Sequence, residues 1–210
     1  MTESFYHVDR HGSLEVGTTM ELEWPSKFTD DQITKSPDEN LATLQDLYPE
    51  GLSGHGARYA QARLITDEAG LNAGWEAMAG GLSVESPEKD REEVITIRPD
   101  VVQFEFQLEL VRRLDFEEKL SRFQSCFAFQ ELDEAVEFCH TQRGGDAKIV
   151  EVEADSFEER DMDLVSANQF GDILRKGRDY WEGNAGSDDP TWEVVMEPPV
   201  EVVDVVDDLV

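Results

Sequence analysis

Lysine is the scarcest charged residue of this 210-residue chain. Arginine supplies two thirds of its 18 basic residues. Cysteine is also rare, and its two copies, Cys126 and Cys139, lie in apolar surroundings without the close spacing of a paired-cysteine metal motif. Such cysteines are typical of a reduced cytoplasmic protein core. No apolar run reaches the roughly 18 residues of a membrane span, and no secretory signal is recognisable. We therefore predict a cytoplasmic protein without a membrane span or a metal site.

Motifs that would assign a reaction directly are absent from the sequence as well. It contains no phosphate-binding glycine loop, no dinucleotide-binding glycine pattern, no nucleophile elbow and no zinc motif. A basic stripe is lacking too, so direct binding of nucleic acid through its phosphates is not expected. Function has to be inferred from side chains that lie far apart in the sequence.

Negative charge is what the sequence has in excess, with 48 acidic residues and a formal net charge of -30. Three explanations are open: adaptation to a cytoplasm of high salt, imitation of nucleic acid to occupy a basic partner, and an acidic tail. Molar salt shortens the screening length to about 3 Å and removes most of the self-repulsion. Acidic residues are spread along the whole chain and lysine is scarce, which favours the high-salt explanation. Most Asp and Glu side chains are then expected to be solvated surface.

Enough large apolar side chains are present to form the core of one folded domain, including 11 Phe and 4 Trp. Strand patterns are predicted at residues 5–8, 94–97, 148–152, 192–196 and 200–206, and residues 14–22 are predicted to form a loop and a short strand. Helical spacing is predicted near 40–47 and over 101–116, 132–139 and 163–181. Interspersed strands and helices indicate a single α+β domain over residues 1–210.

The densest aromatic segment, SRFQSCFAF at residues 121–129, is predicted to be a mostly buried strand. Its polar residues Arg122, Gln124 and Ser125 need hydrogen-bonding partners if they are buried. This segment is either an ordinary central strand with satisfied polar groups or the floor of a ligand site.

Other polar residues lie at positions that indicate a role beyond contact with solvent. His7 lies in the first predicted strand, where a core histidine and a site residue are both open interpretations. Glu193 lies in an apolar strand, where a carboxylate is costly unless it is paired or used. A glycine-rich stretch at residues 53–59 contains His55 and Arg58, which either reach a ligand or begin a helix at the surface.

The chain resembles the ADP-ribosyltransferase superfamily, in the branch marked by a histidine, an aromatic residue and a glutamate. The resemblance lies in the order of three segments: the strand with His7, the central segment at residues 121–129 and the strand with Glu193. Tyr6-His7 is similar to its opening strand, residues 125–129 to its central strand, and Trp192-Glu193-Val194-Val195 to its glutamate strand. The YHV, SRFQS and WEV stretches look most similar to an uncharacterised prokaryotic family within that superfamily. The resemblance implies a split β-sheet core with flanking helices, and an insertion without a counterpart at about residues 24–100.

The resemblance also implies NAD as the substrate and a role for each matched residue. His7 would hydrogen-bond a ribose hydroxyl, and Glu193 would bond the nicotinamide ribose and stabilise the cationic transition state. Phe127, in place of the usual tyrosine, would pack on the nicotinamide. Arg122 would be available to the pyrophosphate. The other residues expected in the NAD site are Tyr6, Ser121 and Ser125.

An NAD-dependent ADP-ribosyltransferase is the function that the resemblance implies, for example a toxin or a defence effector. Its acceptor, a macromolecule or a nucleotide, is not identified by the sequence. Two other functions stay open. A non-catalytic module would bind NAD or ADP-ribose without releasing nicotinamide, and an acidic interaction protein would bind a basic partner through its charge.

Overall fold

The computed structural model describes residues 2–10, 12–24, 38–60, 82–85, 94–97, 99–143, 147–165 and 172–206. These residues form strands and helices with antiparallel sheets, so the predicted α+β class is confirmed. Parts of the predicted insertion, residues 25–37, 61–81, 86–93 and 98, lie outside the described residues. Within the described ranges, no helix has both the length and the apolar character needed to cross a membrane.

The strands of the described chain are β1 (Glu3–Asp9), β2 (Thr19–Met20), β3 (Leu82–Glu85), β4 (Val94–Ile97), β5 (Cys126–Ala128), β6 (Lys148–Ala154), β7 (Phe157–Asp161), β8 (Trp192–Met196) and β9 (Val200–Val206). Its helices are α1 (Asp38–Leu47), α2 (residues 54–60), α3 (Pro99–Asp115), α4 (Leu132–Arg143) and α5 (Ile173–Glu182). Short 3-10 turns are formed by Arg122–Gln124 and Met162–Leu164.

Two antiparallel sheets lie at the centre of the fold. One has four strands in the order β1-β6-β9-β2, and the other has three in the order β5-β8-β7, while β3 pairs with β4 separately. The larger sheets meet where the backbone of Tyr6 on β1 pairs with that of Phe129, directly after β5. This junction brings the strands that carry His7 and Phe127 together, and β8 follows because it pairs with β5.

The main core lies on the inner faces of these sheets. Phe5, Val152 and Met196 are fully buried there. Each buried side chain of this size contributes about 1.5–3 kcal/mol through removal of apolar surface from water. Alternation along β1 places Phe5 in this core, whereas Tyr6 packs in a second cluster against α4. The two faces of β1 therefore serve different parts of the fold.

Helix α2 packs unusually close to the 3-10 turn at Arg122–Gln124. A Cβ on Gly56 would lie 2.0 Å from the carbonyl oxygen of Phe123, so only glycine allows this approach. Ser53 caps the helix, since its Oγ accepts a hydrogen bond from the Gly56 amide, and its own amide donates to the Phe123 carbonyl oxygen. Helix α2, which belongs to the predicted insertion, thus packs directly on the 3-10 turn at Arg122–Gln124.

The prediction of one strand over residues 121–129 is wrong in its first half. Ser121 caps a 3-10 turn by accepting a hydrogen bond from the Phe123 amide, and Ser125 Oγ donates to the Ser121 carbonyl oxygen. These local bonds turn the chain before the strand begins at Cys126. The strand is therefore only three residues long.

The predicted helix over residues 163–181 is also wrong at its start. Residues 162–164 form a 3-10 turn that Asp161 caps, residues 166–171 lie outside the described residues, and α5 begins at Ile173. Its end is close to the prediction, since Gly183 takes the left-handed conformation at φ 77° after Glu182. Two strands, β3 and β7, were not predicted.

Candidate functional site

A cavity of about 590 Å³ lies at the junction of the two larger sheets and α2. Its wall includes His7 from β1, Phe127 from β5, Glu193 from β8, Arg122 from the 3-10 turn and His55 from α2. The volume is in the range of small-molecule sites. The three residues that carry the sequence resemblance, His7, Phe127 and Glu193, therefore reach one cavity from three separate strands.

His7 is fixed by a hydrogen bond to the neighbouring strand. Its Nδ1 lies 2.6 Å from the carbonyl oxygen of Phe127. A carbonyl oxygen only accepts, so Nδ1 carries the proton and donates it to this bond. The bond orients the imidazole on the cavity wall and ties β1 to β5.

Glu193 is a buried carboxylate held by two partners. It forms an ion pair with Arg122 and accepts a hydrogen bond from the hydroxyl of Tyr180, on α5, at 2.9 Å. Its side chain is only 6% exposed. Burial raises the pKa of Glu193, while the Arg122 guanidinium acts in the opposite direction. The carboxylate is thus fixed in position on the cavity wall.

Glu105, on α3, holds the other edge of the same guanidinium. Arg122 donates from Nε to Glu105 Oε2 at 2.9 Å and from Nη2 to Oε1 at 3.1 Å, a bidentate pair. Although burial alone would raise the pKa of Glu105, the Arg122 guanidinium holds it well below its usual range. Arg122 therefore bridges two buried carboxyl groups, and when both are ionised the three groups carry a net charge of -1.

Four of the five N–H groups of Arg122 already bond side chains of the buried cluster. Nη1 contacts Glu193 and the Tyr180 hydroxyl, and the other two nitrogens bind Glu105. The guanidinium also lies over the ring of Phe127, with Cζ 4.5 Å from the ring centroid. The expectation that Arg122 meets a pyrophosphate fits this arrangement poorly, since each of its three nitrogens already bonds a buried side chain. Its role in the structure is to hold Glu193 in place.

His55 packs against the aromatic residue of the site. Its ring centroid lies 4.6 Å from that of Phe127 and 4.6 Å from that of Tyr59. Nε2 is 3.6 Å from Glu105 Oε1, too long for a hydrogen bond, and no other described residue bonds it. Burial lowers the pKa of His55 to about 4, although Glu105 opposes the shift. The imidazole is therefore neutral at pH 7.

Arg58 is a cation on this wall with a donor that no described residue bonds. It lines the cavity, and its buried Nε has no hydrogen-bond partner among the described residues. Arg10, at the end of β1, lines the same cavity. Sequence analysis left open whether His55 and Arg58 reach the site, and the structure places both in its wall.

The remaining predicted site residues divide between the cavity and other surroundings. Ser125 lines the cavity. Ser121 does not; its Oγ donates to Glu109 Oε2 at 3.0 Å, and it lines a different pocket of about 470 Å³. Tyr6 packs in the cluster against α4 rather than in the cavity wall. Of these three residues, only Ser125 is placed to contact a ligand bound beside Phe127.

Glu105 was missed by sequence analysis, although a signal was present. It lies four residues after Val101 and three before Leu108, on the apolar face of the predicted helix. In a chain with so many acidic residues, this position was the feature that separated Glu105 from solvated glutamates. Tyr180 was also missed, although it lies seven residues after Ile173 on the buried face of α5.

Comparison with protein families gives one match to nearly the whole chain. The model of a family described as "Protein of unknown function (DUF2441)" matches residues 5–208. Comparison with curated proteins gives no match. Interpretation of the site must therefore start from its own geometry.

Proposed function

The chain belongs to the DUF2441 family, and we propose that it is an NAD-dependent ADP-ribosyltransferase whose cleft is the cavity described above. The observation that carries the proposal is the convergence of His7, Phe127 and Glu193 on one cavity from β1, β5 and β8. Two antiparallel sheets that meet beside this cavity support an ADP-ribosyltransferase-like split core.

The buried charges suit the chemistry of this reaction. When nicotinamide leaves NAD, positive charge develops on the ribose at C1′. A carboxylate fixed beside that carbon stabilises the charge without having to reorganise, which is typically worth a few kcal/mol. Glu193 is fixed by Arg122 and Tyr180, and Glu105 offsets the charge of Arg122. With both glutamates ionised, the cluster carries a net negative charge beside the cavity even though Glu193 is paired.

The cavity wall also suits two parts of the substrate, the nicotinamide and the pyrophosphate. Phe127 offers an aromatic surface for the nicotinamide, next to the ring of His55. Arg58 has a buried Nε without a partner among the described residues, which suits the oxygen of a pyrophosphate. We assign the pyrophosphate to Arg58 in place of Arg122, because the nitrogens of Arg122 are all bonded.

The enzyme hypothesis is tested with a pair of glutamate variants. Glu193→Gln keeps the shape of the side chain but loses its charge, so we expect NAD affinity within about threefold of wild type. Nicotinamide release should fall by about 100-fold or more. Glu197→Gln is the matched control, because Glu197 follows the same strand and is exposed. Release that is insensitive to Glu193→Gln would contradict the assignment.

A non-catalytic module that binds NAD or ADP-ribose is the second candidate. It is favoured by the engagement of Glu193 Oε1, which is already bonded by Arg122 and Tyr180. In that case NAD titrates to saturation while the sample accumulates no nicotinamide, and ADP-ribose competes for the same site. Both candidates thus predict that NAD binds, and only the enzyme predicts that nicotinamide is released.

A further inference from the structure

We propose that His55 accepts the proton of the nucleophile that receives the ADP-ribosyl group, and that this nucleophile is a hydroxyl group of water or of an alcohol. The inference rests on the proposed function. It assigns a role to a residue that lies outside the histidine, aromatic and glutamate set, and it names the chemical class of the acceptor.

The position of His55 places it beside the reacting centre. Its ring contacts Phe127, the proposed surface for nicotinamide, and it lines the same cavity as Glu193. A base in this place lies next to the bond that must break. Its side chain is 20% exposed, and because the buried Nε2 faces Glu105, Nδ1 is the ring nitrogen that is left to take a proton.

The backbone around His55 is fixed by packing. Ser53 donates its amide hydrogen to the Phe123 carbonyl oxygen at 3.0 Å, and the absence of a side chain at Gly56 allows close contact with the same group. His55 lies between these two anchors, in the first turn of α2. Its imidazole is therefore held at the cavity by the helix, in the way that a group used for proton transfer must be held.

The charge state of His55 suits a proton acceptor. Burial lowers its pKa, so the neutral form is present at pH 7. The charged groups that face it are Glu105 from α3, Arg122 from the 3-10 turn and Arg58 from α2. Nε2 lies 3.6 Å from Glu105 Oε1, within ion-pair distance of an imidazolium once one forms.

A hydroxyl is the acceptor that suits the uncharged aromatic surroundings of His55, whose ring contacts Phe127 and Tyr59 in the cavity wall. A hydroxyl is a very weak acid in solution, but its proton becomes strongly acidic as the oxygen bonds to the cationic ribose carbon. A base of low pKa is then sufficient, and transfer to a positioned side chain typically contributes 10²–10⁴-fold to the rate.

In the proposed step the acceptor oxygen bonds to C1′ of the nicotinamide ribose while the bond from C1′ to the nicotinamide nitrogen breaks. The electron pair of that bond stays on nicotinamide, which leaves as a neutral molecule. The hydroxyl proton passes to His55, which afterwards releases it to solvent.

The test measures nicotinamide release from NAD by wild type and by His55→Ala, with methanol added as the alcohol. His55→Ala should bind NAD within about threefold of wild type in calorimetry but release nicotinamide about 100-fold more slowly. Added imidazole should restore part of the rate, which a misfolded variant would not show. His140→Ala is the control, because His140 is an exposed histidine on α4. Methyl ADP-ribose as the product identifies an alcohol as the acceptor, and ADP-ribose alone identifies water; both products support a hydroxyl.

Two results would overturn the inference, and they are distinguishable. If His55→Ala binds NAD and releases nicotinamide at the wild-type rate, His55 takes no proton and the proposed function stands. If the wild-type protein releases no nicotinamide, the proposed function and this inference fail together.

Discussion

The guanidinium of Arg122 and the carboxylate of Glu193 form a buried ion pair, in which the two side chains are 5% and 6% exposed. They come from the 3-10 turn and from β8. Glu105, on α3, binds the same guanidinium from its other edge. One cation therefore links three elements of the fold, and it holds the carboxylate that the proposed reaction needs.

Arg122→Met is predicted to destabilise the fold strongly, because it removes the cation from between two buried carboxylates. Leaving buried charge without a partner costs about 3–5 kcal/mol. We expect the free energy of unfolding, measured in urea at neutral pH, to fall by about that amount. Arg175→Met is the control, since Arg175 is 64% exposed and its ion pairs lie at the surface. It should change the free energy of unfolding by less than about 1 kcal/mol, and an equal loss in the two variants would argue against a buried cluster.

Stability should depend on pH through His55. Its pKa is about 4 in the folded protein and 6.5 ordinarily, so between these values the unfolded chain binds a proton that the folded protein does not. Stability from this residue is therefore lost as pH falls, by up to about 3 kcal/mol between pH 7 and pH 4.

His55→Gln isolates this dependence, because glutamine does not titrate and the other groups are common to both proteins. When the pH is lowered from 7 to 5, the free energy of unfolding of wild type should fall by about 2 kcal/mol more than that of the variant. Urea titrations at the two pH values provide the measurement. A difference that stays constant with pH would show that His55 is not buried as described.

Gly56→Ala is expected to displace α2 from the 3-10 turn, because the new Cβ would lie 2.0 Å from a backbone oxygen of Phe123. Overpacking of this kind typically costs about 1–3 kcal/mol. Gly177→Ala in α5 is the matched control, since the nearest atom there is the side-chain Cγ2 of Val111 at 3.3 Å, and alanine favours a helix by about 1 kcal/mol. Thermal unfolding should separate the two variants. Equal melting temperatures would contradict the close packing of α2.

Added salt should stabilise the protein, because its net charge of -30 produces strong self-repulsion that ions screen. We expect the melting temperature to rise between 0.1 and 2 M KCl, concentrations that shorten the screening length from about 10 Å to less than 3 Å. An equal osmolality of glycerol controls for effects that do not depend on charge. A melting temperature that falls with KCl would remove the support for a high-salt environment.

Much of the fold could be predicted because several elements carry their own pattern. The apolar spacing of Val101, Phe104, Leu108 and Val111 predicts α3, and the predicted strand over residues 192–196 is confirmed as β8. By contrast, β7 has the polar sequence FEERD and depends on pairing with β8. Tertiary pairing of this kind leaves no periodic signal in the sequence.

The site was only partly predictable for a similar reason. His7 and Glu193 were recognisable as polar residues in apolar strands, and the structure brings both to one cavity. Glu105 was hidden among many acidic residues, and the contacts of His55 depend on how closely α2 packs against Phe123. Tertiary contacts decide which polar groups meet. The sequence pattern shows only which strand or helix carries each group.

The most direct test is to titrate NAD into the purified protein at molar KCl in a calorimeter and then to analyse the same sample for nicotinamide by chromatography. The account predicts saturable binding at one site per chain, together with nicotinamide and an ADP-ribosyl product. Absence of both binding heat and nicotinamide at millimolar NAD would contradict the central claim that this cavity takes NAD as its substrate.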